Sequence, residues 1–150
     1  MPTQPQHLAQ LNIAHMKAPL DDPLMADFVA QIEAVNALAE KSPGFVWRLQ
    51  TPAGDALALR PFDDPATLVN MSVWESVEAL HHFVYSGDHL EVFKQKKAWF
   101  ERMAQAHMVL WWIPQGHQPS LVEAQERLQH LQNHGHSSTA FTFRHPYPAP

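Results

Sequence analysis

Four segments of the chain have the residue pattern of β-strands: in three of them apolar and polar residues alternate, and the fourth is apolar on both faces. The segments are residues 8–15, 45–50, 68–74 and 107–113. Successive side chains of a strand point to opposite faces, so an apolar residue at every second position is typical of a strand that buries one face. The last segment is apolar on both faces, which predicts burial on two sides. Met108, Leu110 and Trp112 share one of its faces, and Val109, Trp111 and Ile113 share the other.

Between the strands, apolar residues recur at helical spacing. Asp22 is a typical helix cap, and Pro23 fits the first helical turn, where its missing N–H costs nothing. The helix that follows is predicted to end at Ser42-Pro43-Gly44. It has one apolar stripe, which consists of Met25, Phe28, Ile32, Val35 and Ala39.

Ser76, Asp88 and Ser120 can each cap a further helical segment. The segment after Asp88 has a stripe that consists of Leu90, Phe93, Lys97, Phe100 and Ala104. The segment after Ser120 places four apolar residues on one side, namely Leu121, Ala124, Leu128 and Leu131. These three helices complete the predicted set.

The predicted order is β-α-β-β-α-β, followed by a helix and a short strand at 140–144. This is the ferredoxin-like split βαβ pattern, an α+β fold in which helices cover one face of an antiparallel sheet. The other face is predicted to pack against the sheet of a second copy, as a symmetric homodimer. The length of 150 residues predicts one domain over residues 1–150, with flexible arms at 1–7 and 145–150.

Composition and charge exclude several classes of function. The chain has no cysteine, so disulfides, thiolate metal sites and a cysteine nucleophile are absent. A formal net charge of −5 argues against a nucleic-acid partner. No basic segment followed by an apolar run opens the chain, and no apolar stretch approaches the ~20 residues of a membrane span. We therefore expect cytoplasmic residence and no membrane partner.

Asn12, Asn70 and Trp74 are the first candidates for a site. Asparagine is disfavoured in mid-strand, and a buried amide without a hydrogen-bond partner costs roughly 1–3 kcal/mol. The two asparagines can orient a ligand's oxygen in an apolar pocket. They can equally be satisfied by a neighbouring loop or a dimer interface. Trp74 shares a strand face with Asn70, which favours it as a residue of the same pocket.

His89 follows the predicted Asp88 cap, and its imidazole could act as a general base or ligate haem iron. His82 is a second candidate ligand-binding histidine. Arg48 could bind a ligand carboxylate or form an ion pair with an acidic residue. Further aromatic residues are predicted to line the pocket, although they could instead fill the core: Trp47, Phe83, Phe93, Phe100 and Trp112.

Five motifs spread over residues 8–143 resemble a bacterial family known as domain of unknown function 3291. They are Leu11-Asn12-Ile13-Ala14, Pro43-Gly44-Phe45-Val46-Trp47-Arg48-Leu49, Leu68-Val69-Asn70-Met71-Ser72-Val73-Trp74-Glu75-Ser76, Phe83-Val84-Tyr85-Ser86 and Leu110-Trp111-Trp112-Ile113-Pro114. The wider relatives of this family look like dimeric α/β-barrel proteins of the antibiotic-biosynthesis-monooxygenase type. That group includes cofactor-independent monooxygenases and haem-degrading enzymes.

The resemblance implies a pocket built from three roles. An asparagine on the first strand matches Asn12, a tryptophan on the third strand matches Trp74, and a histidine from the second helix matches His82 or His89. It implies monooxygenase-like chemistry on an aromatic or polycyclic molecule, or on haem. The alternative hypothesis is a non-catalytic dimer that binds a small hydrophobic molecule or haem. A third hypothesis is a structural protein whose side chains fill the cavity.

The haem alternative predicts a saturable shift of the Soret band when hemin is titrated into the purified protein. His89→Ala should abolish this shift, because the imidazole would be the axial ligand of the iron. The measurement is an ultraviolet–visible titration of both proteins. A Soret band that stays the same with protein as in buffer alone would contradict ligation by His89. A shift of the band that survives in His89→Ala would contradict it as well.

Overall fold

A five-stranded antiparallel sheet with four helices makes up the protein in a computed structural model that describes residues 5–50, 66–85, 95–103 and 105–150. The strands are β1 (Gln6–Met16), β2 (Phe45–Arg48), β3 (Thr67–Trp74), β4 (Phe100–Glu101) and β5 (Met108–Pro114). The helices are α1 (Ala26–Lys41), α2 (Val77–Val84), α3 (Lys96–Trp99) and α4 (Leu121–His134).

Strand β1 is the centre of the sheet. It pairs antiparallel with β3 along one edge, and β2 follows β3 outward. Its other edge is shared by two strands in tandem, because β5 pairs with residues 6–12 and β4 pairs with residues 15–16. The order β2-β3-β1-β5 is that of a ferredoxin-like sheet, so the predicted α+β class is confirmed.

Three of the four predicted helix caps are present, and the fourth, Asp88, lies outside the described residues. The Oδ1 atom of Asp22 accepts a hydrogen bond from the N–H of Leu24 at 2.9 Å and starts a short 3-10 turn, after which α1 begins at Ala26. Ser76 and Ser120 cap α2 and α4, each through a hydroxyl that accepts from the backbone N–H three residues later at 3.1 Å.

Gly44 determines how closely α2 approaches the start of β2. Its φ of 84° lies in the left-handed region that favours glycine. A Cβ atom at this position would lie 2.5 Å from the Cβ of Ala79 on α2. A side chain here would therefore be strained by its backbone and would clash with the helix.

Helices cover both faces of the sheet. On the first face α1 and α2 contribute Ala39, Leu80 and Phe83, which pack against Leu8, Trp74 and Leu110. On the second face α4 contributes three buried residues, Ala124, Leu128 and Leu131. They belong to the same cluster as nine buried strand residues from β1, β3 and β5, namely Ala9, Leu11, Ile13, Val69, Met71, Val73, Val109, Trp111 and Ile113.

Helix α4 therefore covers, within one chain, part of the face for which a second copy was predicted. Its first turn is attached to the sheet through Glu123, whose carboxylate accepts from the indole N–H of Trp111 at 2.8 Å and contacts His117 Nε2 at 2.8 Å. Near its end, Gln132 donates to the carbonyl of Ala106 at 2.7 Å. Because α4 covers part of the second face, the apolar residues there no longer require a second copy. The homodimer therefore stays a prediction.

Parts of both predicted arms make contacts in the structure, and the flexibility of the arms stays a prediction. Gln6 and His7, assigned to a flexible arm, are the first residues of β1. In the segment 145–150, Tyr147 packs beside Phe141, and its carbonyl accepts from the indole N–H of Trp112 at 2.9 Å. The predicted strand at 140–144 is present as an isolated bridge between Phe141 and Leu110.

One helical assignment needs correction. Phe100 was placed on the stripe of the helix capped by Asp88, but it begins β4, directly after the single turn of α3. The pairing of Phe100 with Met16 explains the change, because a ladder to β1 requires extended backbone. Asp88, Leu90, Phe93 and Ala104 lie outside the described residues. In the described part of the chain no helix is long and apolar enough to span a membrane.

Leu128→Ala tests how much α4 stabilises the fold. Leu128 is 2% exposed in the second-face core, and replacing a buried leucine by alanine costs about 2–5 kcal/mol. The measurement is the free energy of unfolding from urea denaturation. Val122→Ala is the matched control on the same helix, since Val122 is 62% exposed and should change stability by less than about 0.5 kcal/mol. Equal effects of the two changes would contradict the packing of α4 on the sheet.

Candidate functional site

A cleft of about 830 Å³ lies between α1 and the sheet, at the end where β1 finishes and β3 begins. Three residues of the predicted α1 stripe, Phe28, Ile32 and Val35, line it and are half-buried. The other two stripe residues, Met25 and Ala39, are buried in the core. The middle of the stripe therefore faces the cleft rather than the strands.

One side of the cleft is an aromatic wall, by which we mean Phe28, Trp99 and Phe100. The Phe28 ring centroid lies 5.5 Å from that of Trp99 and 5.0 Å from that of Phe100, the latter in an edge-to-face arrangement. The wall is attached to β1, because Phe100 pairs with Met16 and the carbonyl of Trp99 accepts from the N–H of Lys17 at 2.8 Å. Flat, apolar molecules pack well on such a surface.

Asn12 and Asn70 form the polar floor of the cleft. They are direct partners in the antiparallel ladder of β1 and β3, so their side chains leave the sheet side by side on the same face. Asn70 is exposed, whereas the other seven residues of β3 are buried. This exposure in mid-strand arises because the side chain of Asn70 faces the cleft.

A buried hydrogen-bond network orients the amide of Asn70. Gln10 is 5% exposed, and its Nε2 donates to Asn70 Oδ1 at 2.7 Å and to Ser72 Oγ at 2.8 Å. Ser72 Oγ also accepts from the indole N–H of Trp74 at 2.8 Å. With its oxygen held by Gln10, Asn70 presents its N–H₂ group to the cleft. The Asn12 amide makes no hydrogen bond within the described residues.

The hydrogen bond to Ser72 connects Trp74 to this network at the cleft. It is 1% exposed, stacks on Phe83 with ring centroids 5.2 Å apart, and meets the edge of Phe45 at 5.4 Å. It is not among the residues that line the cleft. The packing gives Trp74 a structural role, and its predicted contact with a ligand stays a prediction.

Among the other predicted site residues, Arg48 and Phe100 line the cleft together with Asn12 and Asn70. Arg48 also forms the predicted ion pair, since its Nε lies 2.8 Å from Glu40 Oε1. The remaining predicted residues that the structure describes lie elsewhere. Trp47 packs against the second-face core, Phe83 lies under Trp74, His82 is exposed on α2, and Trp112 contacts Tyr147.

The predicted base or haem ligand, His89, lies outside the described residues, as does Phe93. His107 is the histidine among the described residues that line the cleft, and it was not predicted as a site residue. It precedes β5, and its carbonyl accepts from the N–H of Ile13 at 2.8 Å, directly after Asn12. The register of β1 with β5 makes His107 a neighbour of the two asparagines. The spacing of these residues along the chain does not indicate that they are neighbours. Gln10 and Ser72 were also missed, although each shares a strand face with a predicted site asparagine.

The histidines near the C-terminus lie away from the cleft. His130 and His134 have ring centroids 4.8 Å apart on one side of α4, while His136 packs on His145 at 4.6 Å. Burial, together with the charges of His145 and Arg144, lowers the pKa of His136 below its ordinary value. The described residues contain no group of three or more side chains arranged to hold a metal ion.

The sheet order and the cleft beneath α1 define the chain as an α+β protein of the antibiotic-biosynthesis-monooxygenase type of fold. A model of the family "Domain of unknown function (DUF3291)" matches residues 7–150, so the chain belongs to that family. No curated protein matches the chain.

Solved structures of similar fold share little sequence with this chain. SnoaB, a cofactor-independent oxygenase from Streptomyces nogalater, matches with a TM-score of 0.50 at 16% identity, over 77% of this chain and 97% of that one. A conserved protein from Methanosarcina mazei matches with a TM-score of 0.53 at 10% identity, over 73% and 93%. A candidate antibiotic biosynthesis monooxygenase from Nitrosomonas europaea matches with a TM-score of 0.50 at 12% identity, over 80% and 99%. These similarities show the fold.

Ser72→Ala and Trp74→Phe test the network in a double-mutant cycle. Ser72→Ala alone should cost about 1–3 kcal/mol, because the buried N–H groups of Trp74 and Gln10 lose their acceptor. In the Trp74→Phe background one of these donors is already gone, so the same change should cost less, with a coupling of at least about 0.5 kcal/mol. The measurement is urea denaturation of the four proteins. Strictly additive losses would contradict the hydrogen bond between the indole and Ser72.

Proposed function

We propose that this protein binds a flat, mainly apolar organic molecule in the cleft beneath α1 and oxygenates it with dioxygen, without a bound metal or organic cofactor. The observation that carries the proposal is Asn70, an oriented amide donor at the one exposed position of an otherwise buried strand. Asn12 lies directly opposite and adds a second amide. The two amides therefore lie side by side in the lining of the cleft.

The cleft suits a ligand of two or three fused rings. Its volume of about 830 Å³ lies in the range of roughly 300–1,000 Å³ that is typical of small-molecule sites. The aromatic wall offers ring faces and edges, and the α1 residues Ile32 and Val35 complete an apolar lining. A few polar groups in such a lining determine the orientation of the ligand.

The chemistry requires a substrate that is itself a carbon acid, for example a ring methylene next to a conjugated ketone. A base removes one proton from carbon, and the electron pair is delocalised onto the ketone oxygen. The resulting carbanion reduces dioxygen and forms a carbon–oxygen bond. Loss of water then gives a second ketone, so that CH₂ and O₂ become C=O and H₂O.

The asparagines would act on the ketone oxygen. Amide N–H groups aimed at the position where negative charge develops lower the barrier to proton removal, and a water-poor cleft strengthens the effect. Gln10 is a positioning residue in this scheme, since its bond to Asn70 Oδ1 keeps the Asn70 donors directed at the ligand.

The base would be a histidine, the side chain most often used for proton transfer near neutral pH. His107 lines the described cleft and is exposed, and His89 is the residue that the sequence predicts. The likeness in fold to SnoaB, named as a cofactor-independent oxygenase, supports the reaction class. The alternative function is binding without turnover, in which the asparagines contribute affinity alone.

Anthrone, a flat tricyclic ketone with an acidic central methylene, is a suitable probe substrate. We expect oxygen uptake and formation of the corresponding quinone, measured with an oxygen electrode and by absorbance. Asn70→Ala should lower kcat by about 10²–10³, the usual effect of removing one oxyanion donor. Asn133→Ala, on the exposed surface of α4, is the matched control and should leave kcat unchanged.

His107→Ala and His89→Ala, measured in the same assay, identify the base. The variant that lacks the base should lose kcat and also its dependence on pH near neutrality. Saturable binding of anthrone without oxygen uptake by the wild-type protein would establish the binding alternative. Uptake that Asn12→Ala and Asn70→Ala both leave unchanged would contradict the assigned site.

A further inference from the structure

Positive charge is concentrated at the cleft although the chain as a whole is acidic. The protein has ten lysines and arginines against fifteen aspartates and glutamates. Among the residues that the structure describes, five of those ten cations line the cleft, but only one of the fifteen acidic residues, Glu101, does so. The five are Lys17, Arg48, Lys96, Lys97 and Arg102. The described ranges hold eight of the cations and ten of the acidic residues, so the described lining is richer in cations than these ranges as a whole.

Four of these cations form one edge, which we call the cationic rim: Lys17, Lys96, Lys97 and Arg102. Three of them come from the segment 96–102, which also supplies Trp99 and Phe100 of the aromatic wall. Lys17 joins them from the end of β1, where its Nζ donates to the carbonyl of Lys97. A single short segment therefore places an apolar surface and a positive edge side by side.

The ion pairs of the described residues leave part of this rim unpaired. Arg48 is paired with Glu40, and Glu101 lies 3.8 Å from the Nδ1 of His15. Within the described residues, neither Lys97 nor Arg102 forms an ion pair with a carboxylate. The positive charges of Lys97 and Arg102 create a field that attracts an anion.

We infer that the natural ligand of the cleft is an aromatic acid, with its ring system on the aromatic wall and its carboxylate at the cationic rim. This inference rests on the proposed function for the location of the ligand and adds its charge. A guanidinium such as that of Arg102 can hold a carboxylate through two parallel hydrogen bonds, and the flexible lysines add charge. The rim is exposed to water, so the contribution of each cation is moderate and depends on salt.

A matched pair of fluorescent probes tests the inference. Anthracene-9-carboxylate and 9-anthracenemethanol share one ring system and differ in charge. In a fluorescence titration at low salt we expect the carboxylate to bind about tenfold more tightly than the alcohol, which corresponds to about 1.4 kcal/mol. High salt should reduce this preference, because it screens the rim.

The double variant Lys97→Gln/Arg102→Gln should lose most of the preference for the carboxylate while its affinity for the alcohol stays close to that of the wild type. The control Lys41→Gln/Arg144→Gln removes the same charge from residues that do not line the cleft, and it should keep the preference. A preference that survives in the first variant, or is lost equally in the control, overturns the assignment of the rim.

The two proposals can fail separately. Equal affinity for both probes, with anthrone still oxidised, would overturn the aromatic-acid inference and leave the oxygenase proposal standing. A clear preference for the carboxylate without oxygen uptake from anthrone would support the rim and contradict the proposed catalysis. Failure of both probes to bind would overturn the inference, because the wall and the rim would then hold no ligand.

Discussion

The register between β1 and β3 is the constraint on which the rest of the protein depends. It places Asn12 opposite Asn70, Gln10 opposite Ser72, and Leu8 opposite Trp74, all on the face beneath α1 and α2. A shift of one residue in either strand would turn the side chains that this strand places on the face towards the opposite face. The buried hydrogen bonds that Gln10 of β1 donates to Asn70 and Ser72 of β3 oppose such a shift, because Gln10 would lose both acceptors. The network that orients Asn70 is thus also the one that specifies how the sheet is assembled.

The cleft exists because α1 does not pack its whole stripe on the strands. Phe28, Ile32 and Val35 remain half-buried, and the hydrophobic stabilisation that full burial would add, about 25 cal/mol for each Å² of apolar surface, is not realised in the protein alone. A flat ligand on the aromatic wall would cover this surface. The same segment that completes the wall supplies the cationic rim, so an apolar body and an anionic end can be recognised together.

Helix α4 gives the sheet a second covering layer within a single chain. Leu128 and Leu131 pack on the face opposite the cleft, while Gln132 holds the carbonyl of Ala106, one residue before His107. The helix therefore contributes to the site although it packs on the opposite face, since it helps to position the segment that leads from the cleft into β5. Changes in the packing of α4 should for this reason influence the position of His107 as well as the stability of the sheet.

The amino-acid sequence by itself determined the fold class, the caps at Asp22, Ser76 and Ser120, and the candidacy of Asn12, Asn70, Arg48 and Phe100, because these depend on local chemistry and on the alternation of side chains along a strand. It did not determine which aromatic residues line the cleft: Trp74 and Trp99 are both buried, at 1% and 3% exposed, but only Trp99 is among the described lining residues. Only the tertiary structure decided this, and it also decided that His107 approaches the asparagines and that α4 covers the second face. These arrangements depend on strand register and on contacts between residues distant in the chain, which no local pattern encodes.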